Sequence, residues 1–195
     1  MAQSKGELTR EAILAAAIAR FGRDGFRGTS VADIAREAGV SGTAAYAYFP
    51  NKEALFLAAV DEDAAAVIHE GLDSVIAQPD VLDWRETLIF TLVTAVQGHP
   101  LAGRLLGGQE PEVTERVLEL PALADLRKAV TERIRSEQLA GTVRSDIDAD
   151  SIGNGVIAIM LSVLMAVTQL GPSTLLAYRN DVAAVFEAAL RSPKA

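Results

Sequence analysis

The spacing of apolar residues is helical along most of the chain, and it is clearest between residues 31 and 49. In the first half of this stretch, the apolar residues that recur three and four positions apart are Val31, Ile34, Ala35 and Ala38. Thr29 or Ser30 can accept a hydrogen bond from the free amides that begin this helix, and Gly39 can adopt the left-handed conformation that ends it. Ser41 can then cap a second start. The stretch predicts two short helices joined by a tight turn.

Such a helix pair has a defined packing. Ala35 is small at the point where the second helix must cross the first, and Val40 and Ala45 supply matching inward contacts. Burial of one face leaves the second helix protruding, which suits insertion into a DNA major groove about 12 Å wide. The pattern therefore favours DNA recognition.

The same periodicity predicts helices elsewhere, and no strand pattern competes with it. A first helix is expected from about Thr9 to Arg23, ended by Gly25, and Asn51 can cap a long fourth helix ending near Gln78. The remaining helices are predicted over residues 83–98, 101–106, 112–119, 122–139, 149–170 and 173–191. The expected fold is all-α, with about nine helices.

Several ordered motifs resemble the TetR family of bacterial transcriptional regulators. They are Thr29-Ser30, Asp33-Ile34-Ala35, Ala38-Gly39-Val40-Ser41, Tyr46-Ala47-Tyr48-Phe49, Lys52-Glu53 and Leu55-Phe56, preceded by Ile13, Leu14, Ala16, Ala17, Phe21 and Gly25. The resemblance implies a DNA-binding domain at residues 7–67, with its helix-turn-helix motif at 30–49. It also implies a ligand-binding and dimerisation domain at residues 68–195.

The resemblance implies a set of DNA contacts: Thr29, Ser41, Gly42, Thr43, Ala44, Tyr46, Ala47, Tyr48 and Lys52. The two tyrosines and Lys52 are expected near phosphates, with a surface role for Lys52 as the alternative, while Phe49 packs in the core. The family usually has Gly-Thr at positions 43 and 44 and a longer polar residue at 47, whereas this chain has Thr43, Ala44 and Ala47. Base discrimination should therefore rest on Thr43, on methyl contacts by Ala44 or Ala47, on backbone and tyrosine contacts, and on DNA shape.

Charge and cysteine content narrow the function classes. The formal net charge is −8, but residues 1–53 hold seven basic against six acidic residues, so the acidity belongs to the rest of the chain. Such a distribution disfavours indiscriminate coating of DNA and leaves binding to a few placed contacts. The absence of cysteine excludes disulfides and thiolate metal sites and is ordinary for a cytoplasmic protein.

The resemblance implies an effector pocket in the second domain, and the sequence offers candidates for its lining, although for any single candidate an ordinary core position (Trp84, Phe90, Met160) or surface position (the others) is the favoured interpretation. The candidates are Trp84, Phe90, Thr94, Gln97, Arg104, Asn154 and Met160. His99, before Pro100, is expected to be a turn residue. The two histidines lack ligand spacing, so no metal site and no cofactor are expected.

Residues 152–170 form a charge-free apolar run of 19 residues, long enough for a membrane span to be considered. A stripe of small residues runs through it: Gly155, Ala158, Ser162 and Ala166. The opposite positions, expected to face a core, are Val156, Ile159, Val163, Val167 and Leu170. Because the family's last two helices pair with those of a second subunit, we expect a homodimer helix and no membrane.

The expected function is a sequence-specific DNA-binding regulator, a homodimeric repressor on a near-palindromic operator that is released by an unknown small-molecule effector. The alternative is a helical bundle used as an enzyme or as an adaptor that does not bind DNA. Catalytic signatures such as a glycine-rich phosphate loop, a Gly-x-Ser-x-Gly elbow or inward Glu-x-x-His pairs are not found.

Overall fold

The structure, a computed structural model, describes residues 4–76 and 84–191, and these contain helices and connecting turns without a strand. The all-α prediction is confirmed. The helices are α1 (Lys5–Gly28), α2 (Val31–Glu37), α3 (Gly42–Tyr48), α4 (Lys52–Ile76), α5 (Trp84–Gly98), α6 (Pro100–Leu106), the 3-10 helix η1 (Pro111–Glu119), α7 (Pro121–Leu139), α8 (Ala149–Leu170) and α9 (Ser173–Leu190). The predicted helix boundaries at residues 78 and 83 lie outside the described residues.

Helix α1 begins earlier than its apolar pattern predicted. Ser4 Oγ accepts a hydrogen bond from the Glu7 amide (3.2 Å), and Glu7 accepts one from the Ser4 amide (2.6 Å), which forms a capping box. At the other end Gly25 has φ 72°, and the helical path is broken there. The predicted end of the helix was therefore correct in position, and one more helical turn follows the break.

The helices form two compact units. The first contains the described residues of Met1–Val67 and Ala95–Leu120, and the second contains those of Ile68–Thr94 and Pro121–Ala195. Helices α4 and α5 contribute residues to both units. The segment Ala95–Leu120, which the sequence placed in the second domain, packs in the first unit.

The first unit has a continuous core under α3 and the start of α4. The ring centroids of Phe21 and Phe56 lie 4.9 Å apart in an edge-to-face arrangement, and Phe26 lies 4.9 Å from Phe56. Helix α6 packs on α1 at close range, because a Cβ at Gly22 would lie only 2.7 Å from Cβ of Pro100. This core fixes α1, α2 and α3 as one rigid support.

The second unit is built on the packing of α7, α8 and α9. A side chain at Gly153 would collide with the Thr131 hydroxyl, so α7 and α8 approach closely there. The inward face of α8 consists of Ala149, Gly153, Val156, Ile157, Met160, Leu164 and Val167. Leu170, expected in the core, is 70% exposed, because it ends the helix beyond that face.

Helix α8 is the one helix in residues 4–76 and 84–191 whose length and composition would allow it to cross a membrane. A helix that is buried in a protein core passes the same test. Seven of its 22 residues are buried within the fold, and they form one face of the helix.

Candidate nucleic-acid interface and effector cavity

The turn between α2 and α3 has the geometry that the sequence predicted. Ser30 Oγ accepts a hydrogen bond from the Asp33 amide (3.2 Å), and Ser41 Oγ accepts one from the Ala44 amide (3.1 Å). Gly39 has φ +70°, a backbone conformation that residues other than glycine rarely adopt. The predicted turn at Gly39 and the predicted cap at Ser41 are confirmed.

Thr29 does not have the role that the sequence assigned to it. Its side chain is 3% exposed, and its hydroxyl donates to the carbonyl of Gly25 (2.9 Å) across the break in α1. The cap of α2 is Ser30. Thr29 thus stabilises the end of α1, and its buried hydroxyl is not presented to a DNA phosphate.

Helix α3 is anchored by one face and exposed on the other. Ala45 is fully buried and Phe49 is 5% exposed, so these two side chains fix the helix on the core. Gly42 and Ala44 are half-buried at the base of the outer face. The exposed residues, here called the reading face, are Ser41, Thr43, Tyr46, Ala47 and Tyr48. Tyr46 is the more exposed of the two tyrosines, with 53% of its surface exposed against 36% for Tyr48.

Lys52 begins α4 beside the reading face. Asn51 Oδ1 accepts a hydrogen bond from the Ala54 amide (2.7 Å), so the predicted cap is confirmed. The Lys52 ammonium lies 4.4 Å from the centroid of the Phe26 ring, a cation–π contact. Contact with a phosphate therefore requires the ammonium to leave that ring.

Ion pairs within the first unit neutralise part of its positive charge. Arg20 pairs with Glu37 (2.6 Å) and Arg23 pairs with Asp24 (2.9 Å). A hydrogen bond from the Ser30 hydroxyl, supported by the charge of Arg36, lowers the pKa of Asp33. Among the described residues up to Val67, the basic residues without an ion pair are Lys5, Arg10, Arg27 and Lys52. These four supply the cations available for phosphate contacts.

The second unit contains a cavity of about 740 Å³ between α5, α7, α8 and α9. This volume falls within the range of small-molecule sites. The apolar part of its lining includes Ile89, Phe90, Met160, Val163, Leu175 and Phe186. Of the predicted pocket residues, the structure brings Phe90 and Met160 together here.

The other five predicted pocket residues lie elsewhere. Trp84 is 1% exposed in the core, and its indole N–H donates to Glu137 (2.8 Å) instead of facing the cavity. Arg104 belongs to the first unit, where it pairs with Glu110 (3.0 Å). The side chains exposed to solvent outside the lining are Thr94, Gln97 and Asn154. Helical spacing alone did not reveal which polar residues turn inward.

The sequence reasoning missed the charged residues of the cavity, of which Arg85, Arg133 and Glu137 are the most buried. Arg133 and Glu137 are four residues apart on α7, a spacing that could have indicated an ion pair within the helix.

No cluster of potential metal ligands occurs in the described parts of the chain. His99 lies 2.8 Å from the buried carboxylate of Asp63 at the start of α6.

Helix α3 follows a tight turn after α2, packs on the core by one face and is exposed on the other. This is the arrangement of a helix-turn-helix DNA-binding protein. The family model for bacterial regulatory proteins of the TetR family matches residues 13–59. The chain is 28% identical over 190 residues to the transcriptional repressor AcnR of Corynebacterium jeikeium, covering 93% of this chain and 91% of that protein. It is 30% identical over 149 residues to a helix-turn-helix-type transcriptional repressor of Mycobacterium tuberculosis, covering 72% of each.

Solved structures share the whole fold. A TetR-family regulator from Mesorhizobium loti aligns with a TM-score of 0.77 at 17% identity, covering 97% of this chain and all of that one. FadR of Bacillus subtilis, in complex with stearoyl-CoA, aligns with a TM-score of 0.68 at 16% identity, covering 90% and 96%. The chain belongs to the TetR family. It is a DNA-binding transcriptional regulator and not an enzyme.

Proposed function

We propose that the protein is a homodimeric repressor that places its two α3 helices in successive major grooves on one face of a near-palindromic operator. The observation that carries this proposal is the exposed reading face of α3, rigidly held by Ala45 and Phe49. The two half-sites lie about one helical turn, roughly 34–36 Å, apart. The protein acts in the cytoplasm, where bacterial DNA is found.

Within each half-site, the contacts divide by chemistry. Thr43, Ala47 and the half-buried Ala44 are too short for bidentate base contacts, so they read bases through one hydroxyl and through methyl groups. Ser41, Tyr46 and Tyr48 reach phosphates through their hydroxyls, and Lys52 does so through its ammonium. Gly42 has space for a close approach of its backbone to DNA, because nothing lies within 4 Å of its Cβ direction. Thr29 is omitted because it is buried.

The exposed sides of α8 and α9 support a dimer. On α8, Gly155, Ala158 and Ser162 are exposed, and a Cβ at Gly155 would meet no atom within 4 Å. On α9, Leu176 and Val185 are 69% and 55% exposed although they are large and apolar. We infer that a second copy covers these surfaces in a four-helix bundle.

The cavity of the second unit supports regulation by a small molecule. FadR of Bacillus subtilis has a related fold and was solved with stearoyl-CoA, and a site for an effector in this chain is consistent with that. An effector that binds the released dimer more tightly than the DNA-bound dimer shifts the population off DNA. By linkage, operator must weaken effector binding by the same factor.

Fluorescence anisotropy with labelled duplexes tests the DNA-binding proposal. The upstream regions of the protein's own gene and of the neighbouring genes are titrated at fixed salt, against a shuffled duplex of equal length. We expect one region to bind at least about a thousandfold more tightly than the shuffled duplex. Binding of all duplexes with equal affinity would contradict a sequence-specific regulator.

A pair of surface variants assigns the interface. Tyr46→Ala is expected to weaken operator binding about tenfold, because it removes a phosphate contact from the reading face. Leu139→Ala is the control, since Leu139 is 92% exposed at the end of α7 in the second unit, outside the cavity lining and the proposed dimer surface. Equal effects of the two substitutions would remove α3 from the proposed interface.

A further inference from the structure

Among the described residues, those that line the cavity in the second unit have an excess of positive charge. Its lining contains four arginines, Arg85, Arg133, Arg179 and Arg191, and three glutamates, Glu86, Glu137 and Glu187. Arg179 pairs with Glu86, and Arg191 pairs with Glu187 (2.5 Å), both on partly exposed side chains. Arg85 and Arg133 are left with Glu137 between them, so one cationic charge in the lining has no matching carboxylate.

This inner cluster is the buried part of the lining. The side chains of Arg85, Arg133 and Glu137 are only 17%, 17% and 18% exposed. Glu137 Oε1 accepts hydrogen bonds from the Trp84 indole (2.8 Å) and from Arg133 Nε (3.3 Å). Both of these hydrogen bonds go to Oε1, whereas the oxygen nearest Arg85 is Oε2, which lies beyond hydrogen-bond distance.

Arg85 has a contact that holds its side chain, but one of its hydrogen-bond donors has no acceptor. Its Cζ lies 4.9 Å from the centroid of the Trp84 ring, a cation–π contact. Its Nη1 is buried and makes no hydrogen bond to any described residue; the nearest carboxylate oxygen, Oε2 of Glu137, is 3.6 Å away. A buried donor without an acceptor carries an energetic cost that an incoming acceptor would remove.

The cavity also has an apolar part. Phe90 and Ile89 on α5 face Met160 and Val163 on α8, and Phe186 on α9 closes the group. A ligand that satisfies both parts needs an anionic oxygen at one end and an apolar body at the other. A charge-assisted hydrogen bond from a guanidinium to a carboxylate is about twice as strong as a neutral one.

We propose that this cavity binds an amphipathic carboxylate, whose anionic oxygen accepts a hydrogen bond from Arg85 Nη1 while its apolar body lies against Phe90, Met160 and Phe186. The proposal rests on the effector role given to the cavity above and names the chemistry of the effector. Arg133 adds attraction as a second buried cation.

A head-group series tests the proposal without knowledge of the natural ligand. Decanoate, decan-1-ol and decylamine share one apolar tail and differ in charge, and each is titrated by calorimetry into the full chain at neutral pH, below its micelle concentration. We expect decanoate to bind about tenfold or more tightly than decan-1-ol, and decylamine to bind more weakly than either. Equal affinity of decanoate and decan-1-ol, or no binding of any of the three, would overturn the proposal.

Substitution of Arg85 tests the anchor. Arg85→Gln is expected to weaken decanoate binding about tenfold and to change decan-1-ol binding by less than about twofold. Arg179→Gln is the control, because Arg179 lines the same cavity but is 53% exposed and paired with Glu86. Retention of the decanoate preference in Arg85→Gln would overturn the proposal.

A variant of opposite sign keeps the test decisive if Arg85→Gln does not fold. Glu137→Gln removes the competing negative charge and keeps an acceptor for the Trp84 indole. We expect it to strengthen decanoate binding, and a weakening would contradict the proposed role of the arginines.

Operator binding without ligand is measured on the same samples. Specific operator binding together with absent head-group preference would refute the carboxylate proposal alone, whereas selective decanoate binding without operator binding would refute the proposed function.

Discussion

Thr43 and Lys52 represent two kinds of contact at the scale of single residues. Thr43 is exposed on the reading face and offers one hydroxyl and one methyl group, both of which can distinguish base edges. Lys52 is half-buried, with its ammonium over the Phe26 ring, and this ammonium offers a positive charge and N–H donors that suit any phosphate. The first residue should therefore affect sequence preference and the second should affect general affinity.

Two substitutions separate these contributions. Lys52→Ala is expected to weaken binding to every duplex by a similar factor and to reduce the slope of log affinity against log salt by about one. Thr43→Val keeps the shape and removes the hydroxyl, so it should change the preferred bases and leave the salt slope unchanged. Anisotropy titrations against a set of operator variants at several salt concentrations measure both quantities. An identical loss of discrimination in the two variants would contradict this assignment.

Residue-scale prediction from sequence succeeded where the local chain decides the outcome. The Ser41 cap and the Gly39 turn depend on backbone conformation over four or five residues, and both were predicted correctly. Thr29 and Ser30 are adjacent hydroxyl residues, and the choice of Ser30 as the cap follows from the break at Gly25, whose carbonyl accepts from Thr29. The Arg85 environment depends on helices that are distant in sequence, so no local pattern could reveal it.

At the scale of elements, α6 depends on a carboxylate from another helix. Asp63 on α4 is 4% exposed, and its Oδ2 accepts hydrogen bonds from the amides of Leu101 and Ala102, each at 2.9 Å. His99, which precedes α6, makes no side-chain cap of its own. Asp63 therefore supplies the N-terminal cap of α6.

Asp63→Ala is expected to destabilise the protein by about 2–4 kcal/mol, because it leaves two buried amides without an acceptor. Asp61→Ala is the matched control on the same helix, since Asp61 pairs with Arg116 where both side chains are more than a third exposed. That surface pair should contribute only about 0–1 kcal/mol. Urea unfolding of the three proteins measures both changes, and a loss for Asp63→Ala no larger than for Asp61→Ala would disprove the capping role.

Acid should weaken the starts of α1 and α2. The Ser4 amide and hydroxyl lower the pKa of Glu7, and the Ser30 hydroxyl and Arg36 lower the pKa of Asp33. Carboxyl groups with lowered pKa values stabilise the fold above their unfolded pKa, and this contribution is lost as pH falls through their folded pKa. Thermal unfolding should therefore show stability decreasing below about pH 4. Asp33→Asn should decrease less steeply there, and an unchanged slope would argue against Asp33.

The sequence predicted the existence of these elements better than their type. Residues 112–119 were expected to form an α-helix, but Pro111–Glu119 is a 3-10 helix without buried residues. Two helical periods, 3.0 and 3.6 residues per turn, are difficult to distinguish over so short a segment. Likewise α1 starts at Lys5 because of the capping box, although its first turn has few apolar residues to mark it.

For the whole molecule, the proposed dimer makes a direct prediction about mass. The chain of 20.6 kDa is expected to sediment as a dimer at micromolar concentration. Ala158→Glu places a charge on the exposed small-residue stripe of α8 and should produce a monomer. Leu139→Glu adds the same charge at a 92% exposed position at the end of α7 and should remain dimeric. A wild-type monomer under these conditions would reject the dimer.

The division of the chain into units could be predicted only in part. The helical pattern and the motifs are properties of consecutive residues, but the packing of Ala95–Leu120 in the first unit depends on contacts between distant segments. The close approach of Gly22 to Pro100 is one of these contacts. The effector cavity is likewise formed by four helices, which explains why two predicted lining residues, Phe90 and Met160, were found in it and five were not.

Hydroxyl-radical footprinting of the operator tests the central claim most directly, because it reports which face of the duplex the protein covers. Two α3 helices in successive major grooves predict two protected patches on one face of the DNA, about 10–11 base pairs apart and related by the operator's symmetry. A single patch, or uniform protection along the fragment, would contradict a dimer that reads DNA through the exposed face of α3.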